Sequence, residues 1–170
     1  MKTKALFLDR DGVINVDKGY VYKEQDFEFC EGIFALCAFF LSKEYQIFVI
    51  TNQSGIARKL YSEEDFEKLS LFMLENFNKK GVKISKIYHC PHLQDCNCRK
   101  PKPGMLLQAQ KEFNIDLKHS VFIGDNLSDM QAGKNAGVGR LCLIGTDKSG
   151  DFYTTFANLK EAKNFFKDSL

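Results

Sequence analysis

Five short apolar runs punctuate the chain, each closed by polar or turn residues. They are Lys4–Leu8 (KALFL), Gln46–Ile50 (QIFVI), Ile84–Tyr88 (ISKIY), Ser120–Ile123 (SVFI) and Arg140–Ile144 (RLCLI). Runs of this length and composition read as buried strands. Between them the apolar positions fall at helical spacing. Glu31–Ser42 carries Ile33, Phe34, Leu36, Cys37, Phe40 and Leu41, too many apolar residues for an exposed helix. Ser62 has the signature of an N-cap, with Asp65 three residues on and acidic Glu63 and Glu64 in the first turn. Phe66, Leu69, Phe72, Met73 and Phe77 mark one face of that helix, and it stops before Gly81. Further helices are predicted over Pro103–Phe113 and Ser128–Ala136. A last one follows the cap Asn158 and buries Leu159, Ala162, Phe165 and Phe166.

Strand and helix alternate throughout, and no internal repeat or low-complexity tract interrupts them. The pattern predicts an α/β fold, a Rossmann-like parallel sheet flanked by helices on both faces. A length of 170 residues predicts one domain over residues 1–170. Lys and Arg total 24 against 22 acidic residues. So small a surplus argues against a nucleic-acid binder or a polybasic membrane anchor. The longest apolar runs fall short of a membrane span, and the N-terminal apolar stretch is too short for a signal peptide. The expectation is a cytoplasmic protein, monomeric, with no nucleic-acid or membrane partner.

In open α/β sheets ligands bind beyond the carboxyl ends of the strands. Here those ends carry Asp9-Arg10-Asp11-Gly12, Thr51-Asn52-Gln53-Ser54-Gly55, His89-Cys90-Pro91-His92 and Gly124-Asp125-Asn126. Asp9 and Asp11 lie two apart in extended chain, so both can face one side. Asp125 adds a third carboxylate from another strand. Close carboxylates repel unless a cation or proton intervenes. Three of them suit a hard divalent ion, and Mg²⁺ is expected. Lys100 and Thr51 offer a positive charge and a hydroxyl to an anion. That combination meets the electrostatic need of phosphoryl transfer. The plainer alternative is that Asp9 and Asp11 only form a turn.

A second cluster lies at Cys90-Pro91-His92-Leu93-Gln94-Asp95-Cys96-Asn97-Cys98. Three thiols and an imidazole are what a closed tetrahedral Zn²⁺ site requires. His89 is an alternative ligand, and free thiols or a disulfide are the readings without metal. Cys30, Cys37 and Cys142 stand in apolar surroundings and read as core residues.

Asp9-Arg10-Asp11-Gly12-Val13, Thr51-Asn52-Gln53, Lys100 and Gly124-Asp125-x-x-x-Asp129 resemble the four motifs of the haloacid dehalogenase-like phosphohydrolases. They span residues 5 to about 144. The longer stretches Asp9–Val21, Thr51–Arg58 and Cys98–Leu107 are similar to the heptose bisphosphate phosphatases within that superfamily. The resemblance implies hydrolysis of the C7 phosphate of a heptose 1,7-bisphosphate, in the supply of nucleotide-activated heptose for the cell envelope. Asp9 would be the nucleophile and Asp11 the acid and base. Thr51 and Lys100 would hold the transferring phosphoryl group. Mg²⁺ would rest on the Asp9 and Asp125 carboxylates and the Asp11 main-chain carbonyl. Asp129 would orient Lys100 or a metal-bound water, or simply cap its helix.

Substrate contacts would fall to Asp17, Lys18, Gly19, Tyr20, Asn52, Gln53, Ser54, Arg99 and Asn126, with Arg99 on the phosphate that is not cleaved. Members of the family often carry Lys where Asn126 stands, which bears on the anomer hydrolysed. The family also binds structural zinc through Cys-x-His and Cys-x-Cys, here Cys90, His92, Cys96 and Cys98. The spacer of three residues between His92 and Cys96 is shorter than usual. Between Asp11 and Thr51 there is room for only a loop and one helix, so a capless core is expected. A histidinol-phosphate phosphatase, a phospho-accepting receiver module and a zinc-dependent interaction module are the competing readings.

Overall fold

Successive side chains of β1 (Lys4–Leu8) go to opposite faces of the sheet, and each face has its own core. Leu6 and Leu8 join one apolar cluster, while Ala5 and Phe7 join the other. The same division runs along β2 (Tyr45–Asn52), with Ile47 and Val49 on the first face and Phe48 and Ile50 on the second. Burial on both sides is why these strands read as continuous apolar runs. The structure, a computed structural model, describes residues 2–145 and 150–170.

The remaining strands are β3 (Lys86–Cys90), β4 (Val121–Gly124), β5 (Arg140–Ile144) and β6 (Thr154–Phe156). All pair in parallel, in the order β3-β2-β1-β4-β5-β6. Helices α1 (Ile33–Ser42), α2 (Glu63–Lys79) and α5 (Leu159–Ser169) cover the first face. Helices α3 (Gly104–Phe113) and α4 (Leu127–Ala136) cover the second. The first face is rich in phenylalanine: Phe40 packs edge-on against Phe166 at 5.0 Å between ring centres, and Phe34 against Phe77 at 5.1 Å. Each such ring contributes about 1.5–3 kcal/mol by leaving water. The strand order reverses between β1 and β4, and Asp9 and Asp125 follow those two strands directly.

The predicted architecture stands, and the departures have local causes. α1 starts at Ile33 rather than Glu31, because Gly32 adopts a left-handed φ of 86°. β2 extends through Thr51 and Asn52, which pair with His89 and Cys90. β3 is displaced by two residues: Ile84 is buried but lies before the strand, and the Ser85 N–H already donates to the Ile47 carbonyl at 2.7 Å. β6, of only three residues (TTF), has no apolar run to announce it. In α5, Phe165 is 43% exposed and not buried, leaning on Phe156 and Phe166. The cap at Ser62 is a full capping box, with Asp65 N donating to Ser62 Oγ at 3.1 Å and Ser62 N to Asp65 Oδ2 at 2.9 Å. Between Asp11 and the start of β2 at Tyr45 stand only a loop with one 3-10 turn (Glu24–Asp26) and α1, so the core is capless.

Candidate active site

Asp9 leaves β1 still tied to the sheet, its N–H donating to the Ile123 carbonyl at 3.1 Å. The Arg10 N–H and Lys100 Nζ both donate to its Oδ1, at 2.8 and 2.9 Å, which fixes the rotation of the carboxylate. The chain then turns at Gly12, with φ 89°, where a Cβ would lie 2.0 Å from Asp125 Oδ2. Only glycine satisfies both the backbone and that approach.

Lys100 is buried. Its ammonium donates to the Ile50 carbonyl at 2.7 Å and pairs with Asp129 Oδ1 at 2.6 Å. Burial alone would lower its pKa, but Asp129 and Asp9 outweigh that and hold it above the usual lysine value. Its peptide is gripped on both sides by Asn52, whose Oδ1 accepts from Lys100 N at 3.0 Å and whose Nδ2 donates to Lys100 O at 3.1 Å. Asp129 does two jobs: its Oδ2 accepts from Asn126 N at 3.1 Å in the capping box of α4, and its Oδ1 meets Lys100.

The carboxylates of Asp9, Asp125 and Asp129 place ligand oxygens within 4.8 Å of one another. The third acid of the trio is therefore Asp129, where the spacing predicted the Asp11 carboxylate. Three carboxylates face one ammonium. Burial, then Asp129, raises the Asp9 carboxyl well above the ordinary range, and the same two causes push Asp125 up to about 6. A crowded, all-oxygen cluster with surplus negative charge fits a hard divalent cation.

The Asp11 carboxylate is taken up elsewhere. Oδ1 accepts from Arg10 Nη2 and Asn15 Nδ2, both at 3.0 Å, and Oδ2 from Gln53 Nε2 at 3.1 Å. Gln53 Nε2 also donates to Thr51 Oγ1 at 2.9 Å, and Gln53 Oε1 accepts from the Tyr61 hydroxyl. Arg10, Asn15 and Tyr61 were not singled out in the sequence. Arg10 sits inside the first motif and Asn15 in the longer Asp9–Val21 stretch, so their burial was the missing signal. Tyr61 lies beyond the second motif with no pattern to mark it.

A cavity of about 700 Å³ opens over this centre. Asp9, Asp11, Lys100 and Asp125 lie within its lining, with Asp17, Gly19, Tyr20, Asn52, Gln53, Ser54, Arg99 and Asn126 around them. Gly19 (φ 76°) and Tyr20 (φ 49°) are both left-handed, and Tyr20 stands half-exposed at the wall. Two predicted contacts differ. Lys18 does not line the cavity; its Nζ pairs with Glu28 at 3.0 Å. Thr51 is fully buried, behind Gln53.

Cys90, His92, Cys96 and Cys98 come together as one group with donor atoms within 4.8 Å. Cys90 Sγ lies 3.5 Å from His92 Nδ1 and 3.6 Å from Cys96 Sγ, and His92 Nδ1 lies 3.3 Å from Cys98 Sγ. A tetrahedron with Zn–S and Zn–N bonds of ordinary length has edges of roughly 3.5–3.8 Å. The donor set and these edges fit zinc, with the Cys90–Cys98 edge shorter at 2.8 Å. His89 is not a ligand: it stacks on Phe66 at 4.1 Å and meets Glu63 at 2.8 Å. Cys37 and Cys142 are buried and Cys30 half-buried, and burial raises all three thiol pKa values.

A family model described as HAD-hydrolase-like, the haloacid dehalogenase-like group, matches residues 97–162. The chain is 64% identical to the D-glycero-alpha-D-manno-heptose-1,7-bisphosphate 7-phosphatase of Campylobacter jejuni, over 99% of this chain and 98% of that one. The chain belongs to the heptose-1,7-bisphosphate 7-phosphatase family of HAD-like hydrolases. A second member of this family, the D-glycero-beta-D-manno-heptose-1,7-bisphosphate 7-phosphatase of Vibrio cholerae, is 48% identical over 87% of this chain and 84% of its own. Among solved structures, the D,D-heptose 1,7-bisphosphate phosphatase of B. bronchiseptica, complexed with magnesium and phosphate, aligns with a TM-score of 0.88. It shares 27% identity and covers 98% of this chain and 99% of its own. As a member of this phosphatase family the chain is an enzyme, a phosphoric monoester hydrolase, which sets aside the receiver and interaction-module readings. Among the described residues no helix is long and apolar enough to cross a membrane.

Proposed function

We propose that this enzyme removes the 7-phosphate of D-glycero-D-manno-heptose 1,7-bisphosphate through a phospho-aspartate on Asp9, in the supply of nucleotide-activated heptose. The observation that carries the reading is the buried Asp9 carboxylate, held by Lys100 and the Arg10 amide beside Asp125 at the floor of the cavity. Asp9 attacks phosphorus, and the bond from phosphorus to the sugar oxygen breaks. Asp11 gives that oxygen its proton. A water then attacks the phosphoryl-Asp9, Asp11 takes the water's proton, and phosphate leaves with Asp9 restored. Lys100, which lines the cavity, holds the transferring oxygens. Mg²⁺ on the Asp9 and Asp125 carboxylates and the Asp11 carbonyl would supply the charge that lets a phosphate dianion approach Asp9.

Arg99 reaches the 1-phosphate, as a guanidinium suited to two-point phosphate contact. Asp17, Gly19, Tyr20, Ser54 and Asn126 meet the sugar. Gln53, with its amide engaged by protein groups on every side, supports the site instead of reading the sugar. Zinc on Cys90, His92, Cys96 and Cys98 would be structural, since four protein ligands leave no position to activate water. It would fix the loop that leads straight into Arg99 and Lys100. The 64% identity to an enzyme named for the α anomer supports α as the preferred form here.

Phosphate release from α- and β-heptose 1,7-bisphosphate, fructose 1,6-bisphosphate and histidinol phosphate tests the reading. The expected order puts a heptose bisphosphate first by at least about tenfold in kcat/KM, with α above β. Histidinol phosphate as the best substrate would overturn it.

A further inference from the structure

We propose that Tyr61 is a positioning residue of this reaction: its hydroxyl anchors Gln53, and Gln53 in turn holds Asp11 and orients the Thr51 hydroxyl. The proposal rests on the reading that Asp11 serves phosphoryl transfer. The direction of each hydrogen bond follows from the chemistry of the groups. The Gln53 edge facing Asp11 is Nε2, which donates to Asp11 Oδ2 at 3.1 Å. The second proton of that same nitrogen goes to Thr51 Oγ1 at 2.9 Å. Oε1 is thereby turned to Tyr61, which must donate.

Two consequences follow for the reacting groups. Asp11 Oδ2 accepts from a Gln53 amide that is itself bonded to Thr51 and Tyr61, while Arg10 and Asn15 donate to Oδ1. Thr51 Oγ1 accepts from the same Gln53 nitrogen, which fixes this buried hydroxyl at the end of β2. Without the tyrosine hydroxyl, Gln53 Oε1 would be a buried acceptor with that partner lost, in a side chain only 2% exposed. Such an atom draws the amide away toward water.

Tyr61 is itself held hard. Its ring stacks on Tyr22 with centres 5.4 Å apart and planes at 12°. Gly55 leaves the room for it: a Cβ there would stand 2.1 Å from the ring. Burial pushes its phenol up to about 12, so it remains a donor at every working pH. Tyr61 lines the cavity beside Gln53, and through Gln53 its hydroxyl acts on two residues of the site.

Tyr61→Phe keeps the ring, the stack on Tyr22 and the fit against Gly55, and deletes only the hydroxyl. The expected result is a kcat about tenfold lower with KM within about twofold of wild type. Gln53→Ala should lower kcat as well, and adding Tyr61→Phe to it should cost nothing further, because the hydroxyl then has nothing to anchor. An unchanged kcat in Tyr61→Phe overturns the proposal. So does an equal loss in both backgrounds, which would mark a purely structural tyrosine. A wild-type enzyme that releases no phosphate from any sugar phosphate would instead sink the underlying reading, and the proposal with it.

Discussion

Asp9, Asp125 and Asp129 gather where β1 and β4 end, while Cys90, His92, Cys96 and Cys98 gather at the end of β3 and in the loop before α3. Asp9 and Asp125 are placed by the sheet, and Asp129 by the first turn of α4 that follows β4. Their strands are fixed by apolar burial on both faces, so their mutual repulsion is imposed on them and is met only in part by Lys100. The thiols are placed by one another. From Pro91 to Pro103 the chain has neither strand nor helix, and Cys96 and Cys98 are only half-buried. A sheet edge can force like charges together, whereas a loop has to be given its order by the ligand it holds. The two meet at Arg99 and Lys100, where the loop delivers the Lys100 ammonium to Asp9 and Asp129 and Asn52 grips the Lys100 peptide.

The comparison breaks first at Lys100. Lys100→Met removes the cation paired with both Asp9 and Asp129. Denaturation in Mg²⁺-free buffer should show a loss of about 3 kcal/mol, the scale for leaving buried charge unpaired. Added Mg²⁺ should restore part of it. Unchanged stability would mean that the sheet bears the repulsion without a counter-ion.

The knuckle should behave the other way. Metal analysis of the purified enzyme should find about one zinc per chain. Cys98→Ser should lose it and lower kcat/KM about ten- to hundredfold, as displacing a phosphate-binding arm by an ångström does. Its far-UV circular dichroism should stay that of the wild type. A zinc-free enzyme with full activity would remove the structural role.

A smaller effect lies on β3, where Glu112 of α3 accepts from Lys86 at 2.6 Å and Tyr88 at 2.6 Å. Lys86 first, then Tyr88 and Gln108, hold its carboxyl down at about 2 from an ordinary 4.5. A depressed acid stabilises the fold above its unfolded pKa and loses that contribution as pH falls through the folded one. Glu112→Gln should therefore be less stable than wild type at pH 7, and the gap should close between about 4.5 and about 2. A gap constant with pH would show that the pairs contribute nothing ionic.

Much of this was written in the chain's pattern. Apolar runs bounded by turns placed β1 and β5 to the residue, because strands buried on both faces leave an unbroken signal. The ends of β2 and β3 were hidden, since Thr51, Asn52 and His89 are polar residues that pair in the ladder. Asp9, Asp125 and Lys100 were legible from their strand ends and motif. That Asp129 and not the Asp11 carboxylate completes the acidic trio was not. Nothing in sequence spacing tells which way a side chain turns just before a left-handed Gly12, and the donors that capture Asp11 come from Arg10, Asn15 and a distant Gln53. Lys18 was misplaced for a similar reason, because Glu28 across the loop competes for its charge.

The most direct test is to stop the enzyme during turnover of heptose 1,7-bisphosphate by rapid acid quench and map phosphoryl groups by peptide mass. The expected result is one phosphoryl group on the peptide that contains Asp9, accumulating further in Asp11→Asn. Full turnover with that peptide unmodified, or with the phosphoryl group on another residue, would contradict it.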